Sequence, residues 1–415
     1  MIKKQSVPAA TPVNGIIPVD ITSAQFKADP FPFYAQLRAE APVFPIMLPS
    51  KQRAWLVTRY DDVVNVLKDE RFAKNRRNVM SAEQLKKIPW MPPMFKPLER
   101  NMLDLDSPDH TRLRALVHKA FTPRLVEQMR EQIQQLTNEL LDAVEAKGQM
   151  DLLADFALVL PLTMIARILG IPAEDNTKFH RWSNAIVSIK TSGDSLRLIP
   201  TIMQFMSYAR RKIKERRIHP KDDLITALVQ AKDGSDTLSE DEIVAMIFLL
   251  LIAGHETTVN LIASGTLALL QYPEQLAKLQ NEPELIKPAI EELLRFVCPV
   301  ETATERYARE DITIVGTTIP RGEMVLAAIG SANRDASYFD NPDQLDIARK
   351  NNRHLAFGLS SHYCLGAPLA RLEGQIAMSA LIQRFPALRL NIEPKEIRWH
   401  GSFILRGLEA LPVAF

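Results

Sequence analysis

Apolar residues recur at three- and four-residue spacing through most of the chain, in segments 61–67, 111–120, 124–146, 152–169, 202–217, 239–270 and 288–296. That period puts them on one face of an α-helix, so the fold class is expected to be mainly α. Shorter runs at 54–58, 312–319, 324–329 and 403–413, several flanked by Gly or Pro, predict a small β subdomain. No repeat, charge block or Gly/Ser-rich linker divides the sequence, which reads as a flexible N-terminal segment, 1–20, followed by a single domain, 21–415. Between 74 and 108, Pro89, Pro92, Pro93 and Pro97 interrupt an apolar stretch holding Trp90, Met91, Met94 and Phe95. It is too broken for a long helix and too apolar for a linker, and long ordered loops of this kind act as lids or pack on the surface.

Composition narrows the classes. Of 415 residues, 46% are apolar and 24% charged, enough core-forming material to exclude wholesale disorder. A net charge of +2 supplies no overall attraction to nucleic acid. Cys298 and Cys364 cannot make a disulfide framework, and neither sits in a C-x-x-C motif, which fits a reducing cytosol. The N-terminus lacks the basic-then-apolar order of a signal peptide, and the apolar run 243–253 is about half the ~20 residues of a membrane span. The expectation is a cytoplasmic protein that engages neither membrane nor nucleic acid.

Candidate chemistry is concentrated in a few motifs. Phe357-Gly358-Leu359-Ser360-Ser361-His362-Tyr363-Cys364-Leu365-Gly366 precedes an Ala/Leu/Arg/Glu-rich run, and Pro368 marks the start of its helix. Free N–H groups at a helix start lower a thiol's pKa, so Cys364 is expected to be available as a thiolate for a soft or redox-active metal, with Gly358 and Gly366 leaving room for a flat ligand. Cys298 occupies a small-residue position and is read as packing. Ser239 and Glu242 form a capping box for a helix running to about Leu270. In its middle lies Ala253-Gly254-His255-Glu256-Thr257-Thr258. Ala253 and Gly254 present little bulk to a ligand there, and the Thr257 hydroxyl can bond back one turn and open the helix. His255-Glu256 begins an H-E-x-x-H zinc motif, but its last position is Val259, so a metalloprotease is excluded. Glu292 and Arg295 lie one turn apart, as do His110 and Arg114.

These segments together resemble the cytochrome P-450 superfamily, whose haem-ligand signature is F-G-x-G-x-H-x-C-x-G and whose oxygen-side pattern is A/G-G-x-D/E-T-T/S. The resemblance covers nearly the whole chain and is closest to soluble bacterial members, including polyketide and macrolide hydroxylases. Ser360 departs from the signature, standing where the family has glycine; if the turn needs a positive φ, serine costs on the order of 1 kcal/mol. The resemblance implies a triangular helical prism with haem b between the long central helix and the cysteine-loop helix. Cys364 would be the iron's axial ligand, with Phe357, Gly358 and Gly366 shaping the loop, and His110, Arg114, Arg306 and His362 holding the propionates. Thr257 and Glu256 would protonate and stabilise iron-bound oxygen beside Ala253 and Gly254, and Glu292, Arg295 and Arg349 would brace the structure behind the haem. By family position, the substrate pocket would draw on Met94, Phe95, Ile252, Val300, Glu301, Thr302 and Phe403.

The implied reaction inserts one oxygen atom from O2 into an apolar or amphipathic small molecule, by hydroxylation or epoxidation. The sequence has no G-x-G-x-x-G segment and no iron–sulfur cysteine set, so electrons are expected from a ferredoxin or flavodoxin with an NAD(P)H-dependent reductase. Arg112, Lys119 and Arg371 offer such a carrier basic contacts, and the protein is expected to be a monomer. A peroxygenase or isomerase on the same haem, and a non-enzymatic haem sensor, are the alternatives; the Glu256-Thr257 pair speaks against the first and a substrate-sized lid against the second.

Overall fold

The computed structural model describes residues 20–86, 95–187 and 192–415. Apart from Asp20, the N-terminal segment expected to be flexible lies outside them, as does Met94. The helices that place the site are α1 (Asp109–Ala120), α2 (Glu240–Ala253), α3 (Glu256–Gln271), α4 (Ile286–Val297) and α5 (Ala367–Arg384). Ser239 and Glu242 close the capping box at the start of α2 reciprocally, side chain to backbone in both directions. The continuous helix expected over 239–270 is therefore two helices, parted at Gly254 and His255. Taken together, Glu240–Gln271 is long and apolar enough to cross a membrane, yet α3 is buried almost throughout, the pattern of a core helix. α4 turns Ile290, Leu293, Leu294 and Val297 inward, against Leu261 and Leu269 of α3 and Met378 and Ile382 of α5.

Five strands, β1 (Val43–Met47), β2 (Arg53–Val57), β3 (Phe72–Ala73), β4 (Arg306–Ala308) and β5 (Met324–Ala327), form a sheet in the order β1-β2-β5-β4-β3. β5 runs parallel to β2, and the other neighbours are antiparallel. The sheet sets Arg306, at the start of β4, beside the site.

Several expected elements are subdivided. Segment 124–146 breaks at Met129 into Pro123–Gln128 and Arg130–Glu145, and 152–169 opens with a π-helical turn, Leu153–Ala157, before Val159–Ile168. Segment 312–319 is a hairpin, Ile312–Ile314 against Thr317–Ile319, turning on positive-φ Val315 and Gly316. Of the strand expected over 403–413, Pro412–Ala414 pairs regularly, with Gln149–Asp151 and Arg389–Leu390, while Leu405 makes an isolated bridge to Val300. The described residues of segment 74–108 contain short turns of helix at Arg76–Asn78, Ala82–Lys86 and Lys96–Glu99, the last with Pro97 in its first turn.

Behind the cysteine loop, Glu292 and Arg295 of α4 are fully buried. Arg295 grips the carboxylate with both arms of its fork, at 2.8 and 2.7 Å, and Arg349 Nε donates to it at 3.0 Å. The Asp346 N–H and Asn352 Nδ2 complete the carboxylate's shell, and Arg295 also donates to the carbonyls of Asn333, Pro342 and Gln344. The long connection 333–352 is thereby tied at several points to one helix. Glu292→Ala strands two guanidinium groups, one of them in the core, and is expected to destabilise the fold by about 3–5 kcal/mol, read as a lowered urea midpoint.

Candidate active site

The cysteine loop is held by backbone bonds before any ligand is considered. Gly358 N–H donates to Leu355 O, Tyr363 N–H to Ser360 O, and Cys364 N–H to Phe357 O. Gly358 and Ser360 both have positive φ, 68° and 61°, so the turn does demand the left-handed conformation at the position where serine replaces the family's glycine. Cys364 precedes α5, as Pro368 in its first turn foretells. The thiol is accessible from an interior cavity while lying deep in the protein. Burial pushes it above its ordinary range; the N–H groups of Gly366 and Ala367 and the charges of Arg114 and Arg371 pull the other way and lose. The N–H groups at the helix start do lower the thiol, as the sequence leads one to expect, and burial outweighs them. A metal ion held there would favour the thiolate, with release of its proton.

A cationic corner lies beside it. His110, on α1, and His362, in the loop, face each other with ring centroids 4.0 Å apart. His110 is 2% exposed, and its Nε2 has no hydrogen-bond partner among the described residues. Burial, then the neighbouring Arg114 charge, lowers His110 to about 4; burial and the company of His110, Lys74, Arg306 and Arg114 hold His362 far below the usual imidazole range. Arg306 is pushed down to about 10 by burial, with its Nε on Val66 O. Arg114 reaches Tyr363 O at 2.5 Å. Sequence reading did not single out Lys74, whose ammonium donates to Thr304 Oγ1 and Glu305 O and is lowered to about 8, first by burial and then by Arg306. A lone lysine at the head of a loop carried no motif that would have marked it. Such a corner is incomplete without an anion.

Across the cavity, α2 gives way to α3. A Cβ on Gly254 would lie 2.1 Å from Ile165 Cδ1 and 2.4 Å from Leu250 O, so close packing against the neighbouring helix by itself requires a glycine here. Thr257 Oγ1 donates to Ala253 O at 3.2 Å, the bond one turn back. Burial alone raises the Glu256 carboxyl to about 7.

Most of these groups, though not Lys74 or Ser360, line one cavity of about 450 Å³, within the ~300–1,000 Å³ of small-molecule sites. Its wall brings together His110, Arg114, Ala253, Gly254, Glu256, Thr257, Arg306, Phe357, Gly358, His362, Cys364 and Gly366. Of the expected substrate residues, Ile252 and Val300 face it. Phe95, Glu301, Thr302 and Phe403 do not. Phe95 is buried in the main core, and Phe403 packs with the Phe26 and Tyr34 cluster. Glu301 is 1% exposed and bound by Lys27 and Tyr34, and the Thr302 hydroxyl donates to Phe403 O. Val300, Ser402, Ile404 and Leu405 reach the cavity, whereas Glu301 and Phe403 are taken up by contacts elsewhere. Ile165, Leu169, Ala303 and Ile329 complete the apolar wall and were missed, since nothing in the local sequence separates them from ordinary core.

The residues fit a haem. They offer an apolar, small-molecule-sized space, a thiol at one wall, and a corner of buried cations and imidazoles matched to two propionates. Among the described residues no group of three His, Cys, Asp or Glu side chains is placed to hold a metal ion by itself. Cys298 is buried at a left-handed helix end, its thiol donating to Val300 O and pushed up to about 12 by burial, a packing position. Arg112, Lys119 and Arg371 are each paired within the chain, to Asp236 and Glu242, to Asp233, and to Glu291, so they do not form a free basic patch.

Ser360→Gly removes the left-handed strain and is expected to stabilise the protein by about 1 kcal/mol, raising the urea midpoint at an unchanged slope.

The family model of cytochrome P450 matches residues 196–406. The polyketide biosynthesis cytochrome P450 PksS of Bacillus subtilis (strain 168) is 46% identical over 393 residues, 94% of this chain and 96% of that protein. Its solved structure has a TM-score of 0.90, covering 95% of this chain and 99% of the other. The mycinamicin IV hydroxylase/epoxidase of Micromonospora griseorubida is 41% identical over 407 residues, 95% of this chain and all of its own, 100%. The myxobacterial cytochrome P450 CYP267B1, solved with myristic acid, has a TM-score of 0.88 at 41% identity and covers 95% of this chain and 98% of its own. Likeness of this extent places the chain in the cytochrome P450 family, as a haem-dependent monooxygenase with the haem carried on a cysteine thiolate.

Proposed function

We propose that this protein hydroxylates or epoxidises a polyketide- or fatty-acid-like molecule in the cytoplasm, with Cys364 as the axial ligand and Glu256 and Thr257 as the proton-handling pair. The observation that carries the reading is one apolar cavity in which the thiol, that pair and the cationic corner converge. Relatives that act in polyketide biosynthesis, hydroxylate or epoxidise mycinamicin IV, or bind myristic acid support the substrate class. When bound, haem supplies the oxygen-activating and oxidising chemistry.

The chain's own residues do the rest. His110, Arg114, Arg306 and His362 bind the propionates, and Lys74 keeps that corner positive. Glu256, raised to about 7, gains and loses a proton near neutral pH, as a general acid requires. Thr257 Oγ1 spends its proton on Ala253 O and keeps its lone pairs for a donor on the cavity side. Leu249, Ile252, Ile329 and Ile404 exclude water and present an apolar face to the substrate. Electrons come from a separate ferredoxin or flavodoxin with its NAD(P)H-dependent reductase.

Reduced, haem-loaded protein under carbon monoxide is expected to show the red-shifted Soret band of thiolate ligation, and Cys364→Ser to lose it. With a substrate chosen by spin-state screening, Thr257→Ala keeps that band while diverting reducing equivalents to peroxide; unchanged product per NAD(P)H would remove Thr257 from the mechanism. Glu256→Gln is expected to lower turnover about 10²-fold or more and to erase the ionisation near pH 7 from the pH profile, the proton-donating form being lost in wild type as pH rises through that value.

A further inference from the structure

The break between α2 and α3 leaves carbonyls in the middle of the molecule without their usual backbone donors. The α2 ladder ends with Gly254 N–H on Leu250 O, 3.0 Å, and the α3 ladder starts with Val259 N–H on His255 O, 2.9 Å. Leu251 O and Ala253 O lie between them. An uninterrupted helix would pair these with the N–H groups of residues 255 and 257. Here two side chains take those places: Thr257 Oγ1 on Ala253 O at 3.2 Å, and His255 Nδ1 on Leu251 O at 2.7 Å. The Thr257 bond belongs to the oxygen-side motif; the shorter histidine bond belongs to no motif the reaction has used.

We infer that His255 is a positioning residue that holds the central helix open, its Nδ1–H occupying the carbonyl with which the backbone would otherwise re-close. A carbonyl only accepts, so Nδ1 carries the proton and the ring donates from that side. His255 is 2% exposed, so little water competes for either partner. Local side-chain donors that capture a carbonyl one turn back compete with the helix ladder, and a ring docked by that bond does so with little freedom to leave. Gly254 makes the bend affordable on its other side, since Ile165 and Leu250 O crowd the place where a Cβ would stand. Glu256 and Thr257 follow His255 directly, so the clamp fixes where the acid and the alcohol meet the cavity. The functional part of this inference rests on their assignment above; the structural part does not.

Hydrogen exchange on haem-loaded protein tests it. His255→Leu keeps bulk and removes the donor, so the backbone reclaims Leu251 O, and peptides spanning 251–259 are expected to exchange about three- to tenfold more slowly, the worth of one net hydrogen bond. His255→Asn places an amide N–H at nearly the same reach and is expected to exchange as wild type. Should His255→Leu exchange like wild type, or His255→Asn fail to restore the wild-type rate, the clamp is refuted. If neither variant loads haem, wild-type protein labelled with 15N-histidine and held in its diamagnetic reduced carbon monoxide form decides: a protonated Nδ1 at His255 is required, and a proton on Nε2 alone overturns the inference. Peroxide release separates the two proposals. If Thr257→Ala does not leak while His255→Leu slows exchange, the assigned role of Thr257 fails and the clamp stands; if Thr257→Ala leaks and exchange in His255→Leu is unchanged, the reverse holds.

Discussion

Because the cavity around Cys364 is walled by apolar side chains, every ionisable group facing it is kept from water, and burial is the largest influence on Cys364, His110, His362, Arg306 and Glu256 alike. Left to themselves these groups drift toward neutrality. A guest carrying two carboxylates and a metal ion would reverse the balance at each wall: its anions would restore the value of the cations, and its metal would be bound by the thiolate, the thiol's proton being released to solvent. The protein thus stores unfavourable desolvation that its cofactor relieves, which is one physical form of coupling between cofactor binding and folding. Glu256, remote from the cationic corner, is left near neutrality, where a proton donor is useful.

The Glu292 carboxylate is the counter-case. It is buried as deeply, yet Arg295, Arg349, Asn352 and a backbone N–H answer it completely from within the chain. A charge satisfied internally braces; a charge cluster left short of partners receives. The same chemistry of arginine and carboxylate therefore does two jobs a few helices apart, and accounting for donors and acceptors tells them apart.

Much of this was legible in the sequence. The helical period gave the class, the capping box gave the start of the central helix, and spacing alone put His110 and Arg114 on one face. What spacing cannot show is how far a helix stops bonding to itself: the apolar run ends at Gly254-His255-Glu256 and Thr257 is placed to open the helix locally, but that α2 and α3 part completely at Gly254 and His255 is visible only in the structure. The partners of a side chain were the other blind spot. Val300 and Glu301 are neighbours in sequence, yet Val300 meets the cavity while Glu301 is claimed by Lys27 and Tyr34, residues 274 and 267 positions away. Ser360 went the other way, since its left-handed turn follows from the family pattern and stands at φ 61°.

The burial of Glu301 reaches beyond the pocket it was expected to line. Its carboxylate takes the Lys27 ammonium at 2.8 Å and the Tyr34 hydroxyl at 2.6 Å, while Arg406 donates to the carbonyls of Lys27 and Ala28. Ala24–Ala28 is thereby fastened to the strand segment whose preceding residue, Val300, forms cavity wall. The two ends of the chain meet behind the substrate space, one through Lys27 and the other through Arg406. Losing Lys27 would abandon a buried carboxylate next to that wall, so a residue far from the reaction in sequence is part of what keeps the substrate space in shape.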